Sequence, residues 1–170
     1  MRARHARTAS ALVETALWVP ILVSFLFGTV ELARVSYTYF TLHKMLYTVA
    51  SYLSTQPGVN FCNDSDATIE EAKNLALFGG IDAAAQQPII QGLAADQITV
   101  GVERYDPESE TLAQCDCSET GCDIAAGGLA PNYIVVSIPE GFPIRLALPG
   151  LNNDPIPLRP RIRMPYAGGG

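Results

Sequence analysis

The pattern of apolar and charged positions separates an apolar N-terminal stretch from a more polar remainder. Residues 15–30 carry no formal charge and lie between Glu14 and Glu31. Apolar neighbours extend this stretch to about residues 11–33, close to the roughly 20 apolar residues that span a bilayer. A secretory signal peptide is the competing interpretation, but the stretch continues without a break into a long helical pattern. The sequence therefore predicts a retained membrane-spanning helix.

Beyond this span, apolar residues recur at alternating steps of four and three, the spacing of one helix face. The stripe consists of Val35, Tyr39, Leu42, Leu46, Val49 and Leu53. The stripe contains no Pro or Gly, and the first of these residues after it are Pro57 and Gly58. One helix is therefore predicted over residues 10–54. Pro20 lies inside it and removes a backbone hydrogen bond, which predicts a local loosening.

A second helix is predicted in the polar part of the chain, after residue 55. Thr68 and Glu71 have the spacing of a capping box, and the glycine pair at 79–80 is a helix end. The segment 81–94 predicts another short helical piece.

Residues 97–105 alternate between polar and apolar positions, with Ile98, Val100 and Val102 on one face, as in a β-strand. Strands are predicted over residues 97–105, 133–139, 143–148 and, as an edge strand because of its prolines, 158–165. Residues 106–132 form a long loop with three cysteines. The predicted fold class is α+β, with a long N-terminal helix followed by a small head, residues 55–170, that contains an antiparallel β-sheet.

Charge is distributed unevenly along the chain. Residues 1–54 hold five basic and two acidic side chains, a net +3, whereas residues 55–170 hold six and fifteen, a net −9. The acidic part lacks the clustered Lys and Arg of a nucleic-acid interface, so no nucleic-acid partner is predicted. Arginines 2, 4 and 7 precede the span, so the positive-inside rule places the N-terminus in the cytoplasm and the head outside.

The four cysteines, Cys62, Cys115, Cys117 and Cys122, all fall in the predicted outer part of the chain. An even number of cysteines in an oxidising compartment predicts two disulfides. A bond between Cys115 and Cys117 is disfavoured because one residue separates them. Cys62 then pairs with Cys115 or Cys117, and Cys122 takes the other. The spacing matches paired zinc knuckles only in part, so no metal and no cofactor are predicted.

Three charged residues flank or enter the predicted span. Glu31 and Arg34 are three residues apart where the span meets water, so they are expected to pair on one helix face. Glu14 has no basic residue within one turn, because Arg7 is two turns away. Since a charge in lipid is costly, Glu14 is expected to pair with another subunit. The alternative is that its side chain reaches the cytoplasmic surface.

Residues 6–34, ARTASALVETALWVPILVSFLFGTVELAR, resemble the start of TadE-like proteins, the minor pilins (pseudopilins) of the tight-adherence (Flp/Tad) type IV pilus system. The matching positions are Ala11, Val13, Glu14, Pro20, Glu31 and Arg34. The resemblance implies that a prepilin peptidase removes leader residues 1–9 by cutting between Ala9 and Ser10. Glu14 would then pair with the new N-terminus of Ser10 in a neighbouring subunit, and Pro20 would loosen the helix for packing in a filament.

The resemblance implies a structural subunit that initiates, caps or is sparsely built into a pilus. A head of over 100 residues favours a minor role, because the major pilins of this system are little more than the helix. The implied partners are other pilin and pseudopilin subunits, the prepilin peptidase, the inner-membrane assembly platform and membrane lipid. The implied location is the bacterial inner membrane, single-pass, with the head periplasmic or extracellular, and the pilus after processing.

Two other functions compete with this hypothesis. One is an uncleaved single-pass anchor that displays an extracytoplasmic binding domain, which differs in keeping its leader. The other is a secreted soluble domain, released after signal cleavage. No histidine follows His43, and no Ser-His-Asp or Cys-His set can be assembled from the sequence, so an enzyme is not expected.

Overall fold

The computed structural model describes residues 2–81, 87–115, 117, 127–147 and 154–168, with side chains from residue 13 onward. Within these residues the elements are α1 (Arg2–Thr55), α2 (Ala67–Phe78), a 3-10 turn (Ala95–Gln97), β1 (Thr99–Asp106), β2 (Thr111–Gln114), β3 (Tyr133–Ser137), β4 (Phe142–Ile144), β5 (Ile156–Leu158) and β6 (Arg161–Pro165). The predicted fold class is confirmed: a long N-terminal helix is followed by a small head with an antiparallel sheet.

The chain divides into two compact units. The anchor unit consists of residues 1–37 and 145–155, and the head unit of residues 38–144 and 156–170. The boundary within α1 lies between Tyr37 and Thr38, so the last part of this helix belongs to the head unit.

Helix α1 is longer than the predicted 10–54 and is helical on both sides of Pro20. Pro20 has no backbone N–H, so one hydrogen bond of the ladder is missing there. The Ser24 hydroxyl donates a hydrogen bond of 2.8 Å to the Pro20 carbonyl oxygen. The loosening of α1 at Pro20 stays a prediction.

The C-terminal turns of α1 supply one side of the head's hydrophobic core. Leu42, Leu46, Val49 and Leu53 are completely buried, whereas Tyr39 of the same stripe is 40% exposed. The other side of the core comes from α2 and the sheet, through Ile69, Leu77, Val100, Val102, Ile134 and Val136. The last four residues of the heptad-like stripe are therefore the seam by which α1 packs within the head.

The main sheet has the strand order β2-β1-β3-β6, and each neighbouring pair is antiparallel. The predicted alternation of β1 is confirmed, because Ile98, Val100 and Val102 are all buried. The predicted edge position of β6 is also confirmed. Strand β2 was not predicted: its four residues are all exposed, so they lack the apolar alternation that marks a strand in sequence.

The predicted strand 143–148 was wrong in extent, since the strand is β4, Phe142–Ile144. It pairs with β5 in a separate two-stranded sheet, with Pro143 opposite Pro157. Neither proline has an N–H to donate, so this ladder remains short. Gly141 precedes β4 with a φ of 82°, and a Cβ there would lie 2.7 Å from the Pro157 Cβ.

The predicted capping box of α2 was wrong. The N-cap is Asp66, whose side chain accepts a hydrogen bond of 2.9 Å from the Thr68 backbone N–H. The predicted end is confirmed, because Gly79 closes α2 in the left-handed conformation with φ 78°. Of the helical piece predicted at 81–94, residues 82–86 lie outside the described residues and residues 87–94 are not helical.

Candidate membrane-spanning and assembly helix

Large apolar side chains are exposed all around α1 between residues 13 and 32. Phe25 is 75% exposed and Leu17 is 67% exposed, and the most apolar stretch of the helix is exposed throughout. A helix that is apolar on all sides is stable in lipid or against other helices rather than in water. This helix is long and apolar enough to cross a membrane. It is therefore compatible with a single-pass membrane anchor.

On one face of this apolar segment, small side chains leave a shallow depression. Ser24 and Gly28 lie one turn apart, and a Cβ added at Gly28 would meet no atom within 4 Å. They form a shallow groove whose other lining residues are Ile21, Phe25, Thr29 and Leu32. Small residues at this spacing let a second helix approach closely in a membrane. This face was not predicted from the sequence, although small residues four positions apart, such as Ser24 and Gly28, are a known signal for close helix packing in membranes.

Glu14 lies on the exposed surface of α1, at the start of the apolar segment. None of the described ion pairs includes it. Ala9 and Ser10 are helical in their backbone, and their side chains are outside the description. Pairing of Glu14 with a neighbouring subunit and cleavage before Ser10 therefore stay predictions.

Glu31 and Arg34 form an ion pair at the outer end of the apolar segment. Arg34 Nη2 lies 2.7 Å from Glu31 Oε2, and Arg34 Nε lies 3.1 Å from the same oxygen. The Glu31 side chain is 13% exposed and that of Arg34 49%. Arg34 Nη2 also donates to the Arg145 carbonyl oxygen. Arg34 therefore fixes the segment that begins at Arg145 to the helix within the anchor unit, a contact that the sequence analysis missed.

A disulfide joins Cys62 to Cys117, with a Cα–Cα distance of 5.4 Å and a sequence separation of 55. This is one of the two pairings that the sequence left open for Cys62. Cys115 is also disulfide-bonded, and Cys122 lies outside the described residues. By closing a long loop, the Cys62–Cys117 bond is expected to stabilise the head by about 2–4 kcal/mol.

The head also contains a polar cleft of about 480 Å³ between α2 and the 3-10 turn. Lys73 lines this cleft although it is only 7% exposed, together with Asp64, Glu70 and Asp96. No group of His, Cys, Asp and Glu in the described part of the chain is arranged to hold a metal ion. The cleft is lined by one lysine and three carboxylates, a surface suited to polar partners.

The family model of TadE-like proteins matches residues 9–51, which covers α1 except for its two ends. No curated protein and no solved structure matches the chain. The matched segment contains Glu14, Pro20 and the Glu31–Arg34 pair. The match is consistent with a TadE-like protein of the Tad pilus system, and it confirms that residues 9–51 of this chain are a TadE-like segment.

Proposed function

We propose that the chain is a minor pilin-like subunit of a Tad pilus, held in the bacterial inner membrane by α1 and assembled into the pilus through it. One observation carries the proposal: the TadE-like match coincides with a helix whose apolar segment is exposed on all sides. Such a surface needs lipid or the helices of other subunits around it. A pilin-type subunit meets lipid first and other subunits later.

Glu14 has a specific role in this proposal. Removal of residues 1–9 creates an α-ammonium on Ser10, which is costly to leave unpaired in an apolar environment. The Glu14 carboxylate of one subunit pairs with the Ser10 ammonium of its neighbour. A buried ion pair of this kind fixes the register between neighbouring subunits more than it stabilises their contact. Glu14 thus selects and aligns an incoming subunit, and the groove at Ser24 and Gly28 receives its helix.

The head makes this subunit a minor component that initiates or caps the pilus or is sparsely built into it. Its partners are other pilin and pseudopilin subunits, the prepilin peptidase, the assembly platform and lipid. The N-terminus is cytoplasmic and the head lies outside the membrane, where its disulfide is stable. The role is structural rather than enzymatic.

The decisive experiment is the intact mass and N-terminal sequence of the membrane-extracted protein, with and without the prepilin peptidase. A mature chain that starts at Ser10 only when the peptidase is present supports the proposal. Ala9→Lys is expected to block this cut because the small residue before it is lost, whereas the matched Ala6→Lys leaves it intact. A chain that retains residues 1–9 under all conditions contradicts it, and so does a start beyond residue 30, which identifies a signal peptide.

Glu14 is tested by following the incorporation of the processed subunit into sheared pili. Glu14→Gln keeps the shape of the side chain and removes its charge, so incorporation is expected to fall while processing continues. The matched control is Glu31→Gln, which changes the carboxylate that already has Arg34 as its partner. Normal incorporation of a processed Glu14→Gln subunit would show that Glu14 does not align subunits.

The second candidate function is an uncleaved anchor that displays a binding domain. The polar cleft around Lys73 favours it, because a pilus subunit does not require such a cleft. A permanently retained leader, together with normal export of the head, is the result that this function predicts.

A further inference from the structure

The face of the main sheet that points away from the core carries paired arginines. The Glu103 carboxylate of β1 accepts a hydrogen bond of 2.7 Å from Arg161 Nη2 through one oxygen, and its other oxygen lies 2.5 Å from Arg163 Nη2 in an ion pair. The Arg163 guanidinium also lies 4.4 Å from the centre of the Tyr133 ring. A guanidinium has five N–H donors, and these two side chains are 63% and 43% exposed. Both are therefore held in place with donors still directed to solvent.

A hollow of about 320 Å³ lies beside these arginines on the same face. Gly101 is part of its lining, and a Cβ there would make only ordinary contacts, 3.8 Å from Gln114 Nε2 and 3.9 Å from the Val135 carbonyl oxygen. The polar residues that line it are Thr99, Glu103, Gln114, Ser137, Arg159 and Arg161. We refer to this surface as the arginine hollow. Glu103 is the one carboxylate among the described lining residues, and two arginines already neutralise it.

The arginine hollow is a basic site in an acidic head. Residues 55–170 carry a net charge of −9, and three of their six basic residues are arginines 159, 161 and 163. Arginine forks recognise carboxylates through paired hydrogen bonds. The hollow is therefore suited to a ligand that presents carboxylates on a short, exposed segment.

The turn between β1 and β2, residues 106–110, is such a segment. It contains Asp106, Glu108 and Glu110 within five residues, and its tip is exposed. The carboxylates of Glu108 and Glu110 take part in none of the described ion pairs. The turn cannot reach the hollow of its own sheet, because residues 101 and 106 of the rigid strand β1 are about 17 Å apart at ~3.3 Å per residue.

We propose that the arginine hollow binds the acidic turn, residues 106–110, of a second copy of this chain. Two different surfaces then meet, so each copy still offers one free hollow or one free turn. Repetition of such a contact gives rings or open rows of subunits. The contact concerns the heads alone and goes beyond the proposed membrane function, since it does not depend on cleavage of the leader.

The test measures energy transfer between two fluorescently labelled populations of the full-length chain in detergent micelles at low salt. The turn variant Glu108→Lys/Glu110→Lys is expected to weaken association about tenfold, the effect of removing two or three partly exposed ion pairs. The matched control Glu140→Lys/Asp154→Lys has the same net charge and changes two exposed carboxylates outside the turn and outside the lining of the hollow. It is expected to associate as the wild type does.

A hollow variant provides the complementary test. Arg159→Glu/Arg161→Glu reverses the charge of the hollow and leaves the Arg163–Glu103 pair in place. Each variant alone should associate weakly, whereas a 1:1 mixture should recover energy transfer, because each acidic surface then meets a basic one on the other variant. The recovered signal should fall as salt is added.

The proposal is overturned if the turn variant associates as well as its control, or if the mixture gives no more energy transfer than either variant alone. Near-UV circular dichroism checks that each variant is folded. If the hollow variant does not fold, the turn variant and its control decide the result between them. The N-terminal sequence of the same samples reports leader processing separately, so failure of this contact and failure of the pilin function are distinguishable.

Discussion

The Tyr166 hydroxyl donates a hydrogen bond of 2.9 Å to the carbonyl oxygen of Gln56, the residue that follows α1. Next to this contact, the Ala167 N–H donates to the Ser54 carbonyl oxygen at 2.8 Å. The Tyr166 ring packs edge-to-face on Phe61 with a centroid distance of 5.6 Å. The end of the described chain thus completes the head by satisfying carbonyl groups at the C-terminal end of α1, which have no partner within the helix.

The stability of the head is expected to be sensitive to any side chain added at Gly168, next to the contacts of Tyr166 and Ala167 with the end of α1. A Cβ at this position would overlap the Gln56 carbonyl oxygen and lie 2.8 Å from the Tyr166 hydroxyl. Gly168→Ala should therefore lower the free energy of unfolding by about 1–3 kcal/mol. Thermal unfolding followed by the near-UV dichroism of the tyrosines measures this. Gly101→Ala, which makes only ordinary contacts, should leave the melting temperature nearly unchanged, and equal effects of the two changes would contradict the packing argument.

The N-cap of α2 gives a second prediction, because structure and sequence disagree about it. Asp66 accepts hydrogen bonds from Thr68 N at 2.9 Å and Asn60 N at 3.3 Å. Asp66→Ala should cost about 1–2 kcal/mol of stability. Thr68→Ala should cost much less, since the Thr68 side chain does not cap the helix. Urea unfolding of both variants compares them directly, and a larger loss for Thr68→Ala would restore the capping box predicted from sequence.

The disulfide between Cys62 and Cys117 is expected to stabilise the head through the unfolded state. Replacing both residues with alanine removes the bond without leaving a free thiol. The free energy of unfolding should then fall by about 2–4 kcal/mol. The reduced wild-type protein serves as a comparison and should be destabilised at least as much. An unchanged melting temperature in the double variant would show that this bond adds nothing to stability.

Arg34 is expected to protect the peptide bond after Arg145 from trypsin. The Arg34 guanidinium donates to the Arg145 carbonyl oxygen, so trypsin cleavage after the exposed Arg145 requires this contact to open. Arg34→Ala should raise the rate of this cleavage severalfold, because a hydrogen bond from a charged donor is lost. Glu31→Gln keeps the guanidinium and should have a smaller effect. Mass spectrometry of timed digests identifies the cut, and equal rates in all three proteins would exclude the contact.

Asp106 is expected to titrate below its ordinary pKa. The Ser109 hydroxyl, which donates at 2.8 Å, lowers the pKa of Asp106 most, and the Glu108 backbone N–H contributes next. Because the folded pKa lies below the unfolded one, Asp106 stabilises the fold above its ordinary pKa, and this contribution is lost as the pH falls through the folded pKa.

The Asp106 shift is measured by NMR titration of its side-chain carboxyl carbon. Ser109→Ala should raise the pKa of Asp106 toward its ordinary value of 3.8. Ser109→Thr keeps a hydroxyl and should leave the pKa low. A pKa that does not move in Ser109→Ala would show that the hydroxyl is not the main cause.

The sequence by itself determined the features that depend on local periodicity. A long uncharged stretch predicts an apolar helix wherever it lies, and the steps of four and three predict the buried seam of α1. Alternation identifies β1, since neighbouring side chains of a strand point to opposite faces, and β3 is identified by its short run of apolar residues. The TadE-like resemblance rests on a contiguous segment, residues 6–34, as the family match does on residues 9–51, so neither needed tertiary structure.

Tertiary structure alone decided the features that join distant parts of the chain. Strand β2 forms because β1 offers it a free backbone edge, although its own residues are all exposed. The bond from Arg34 to Arg145 crosses 111 residues, and the choice of Cys117 for Cys62 depends on where the end of β2 lies. The arginine hollow forms where β1, β3 and β6 pair, because its lining residues come from all three strands. Register and loop closure are set by the whole packed head, and no local pattern of residues encodes them.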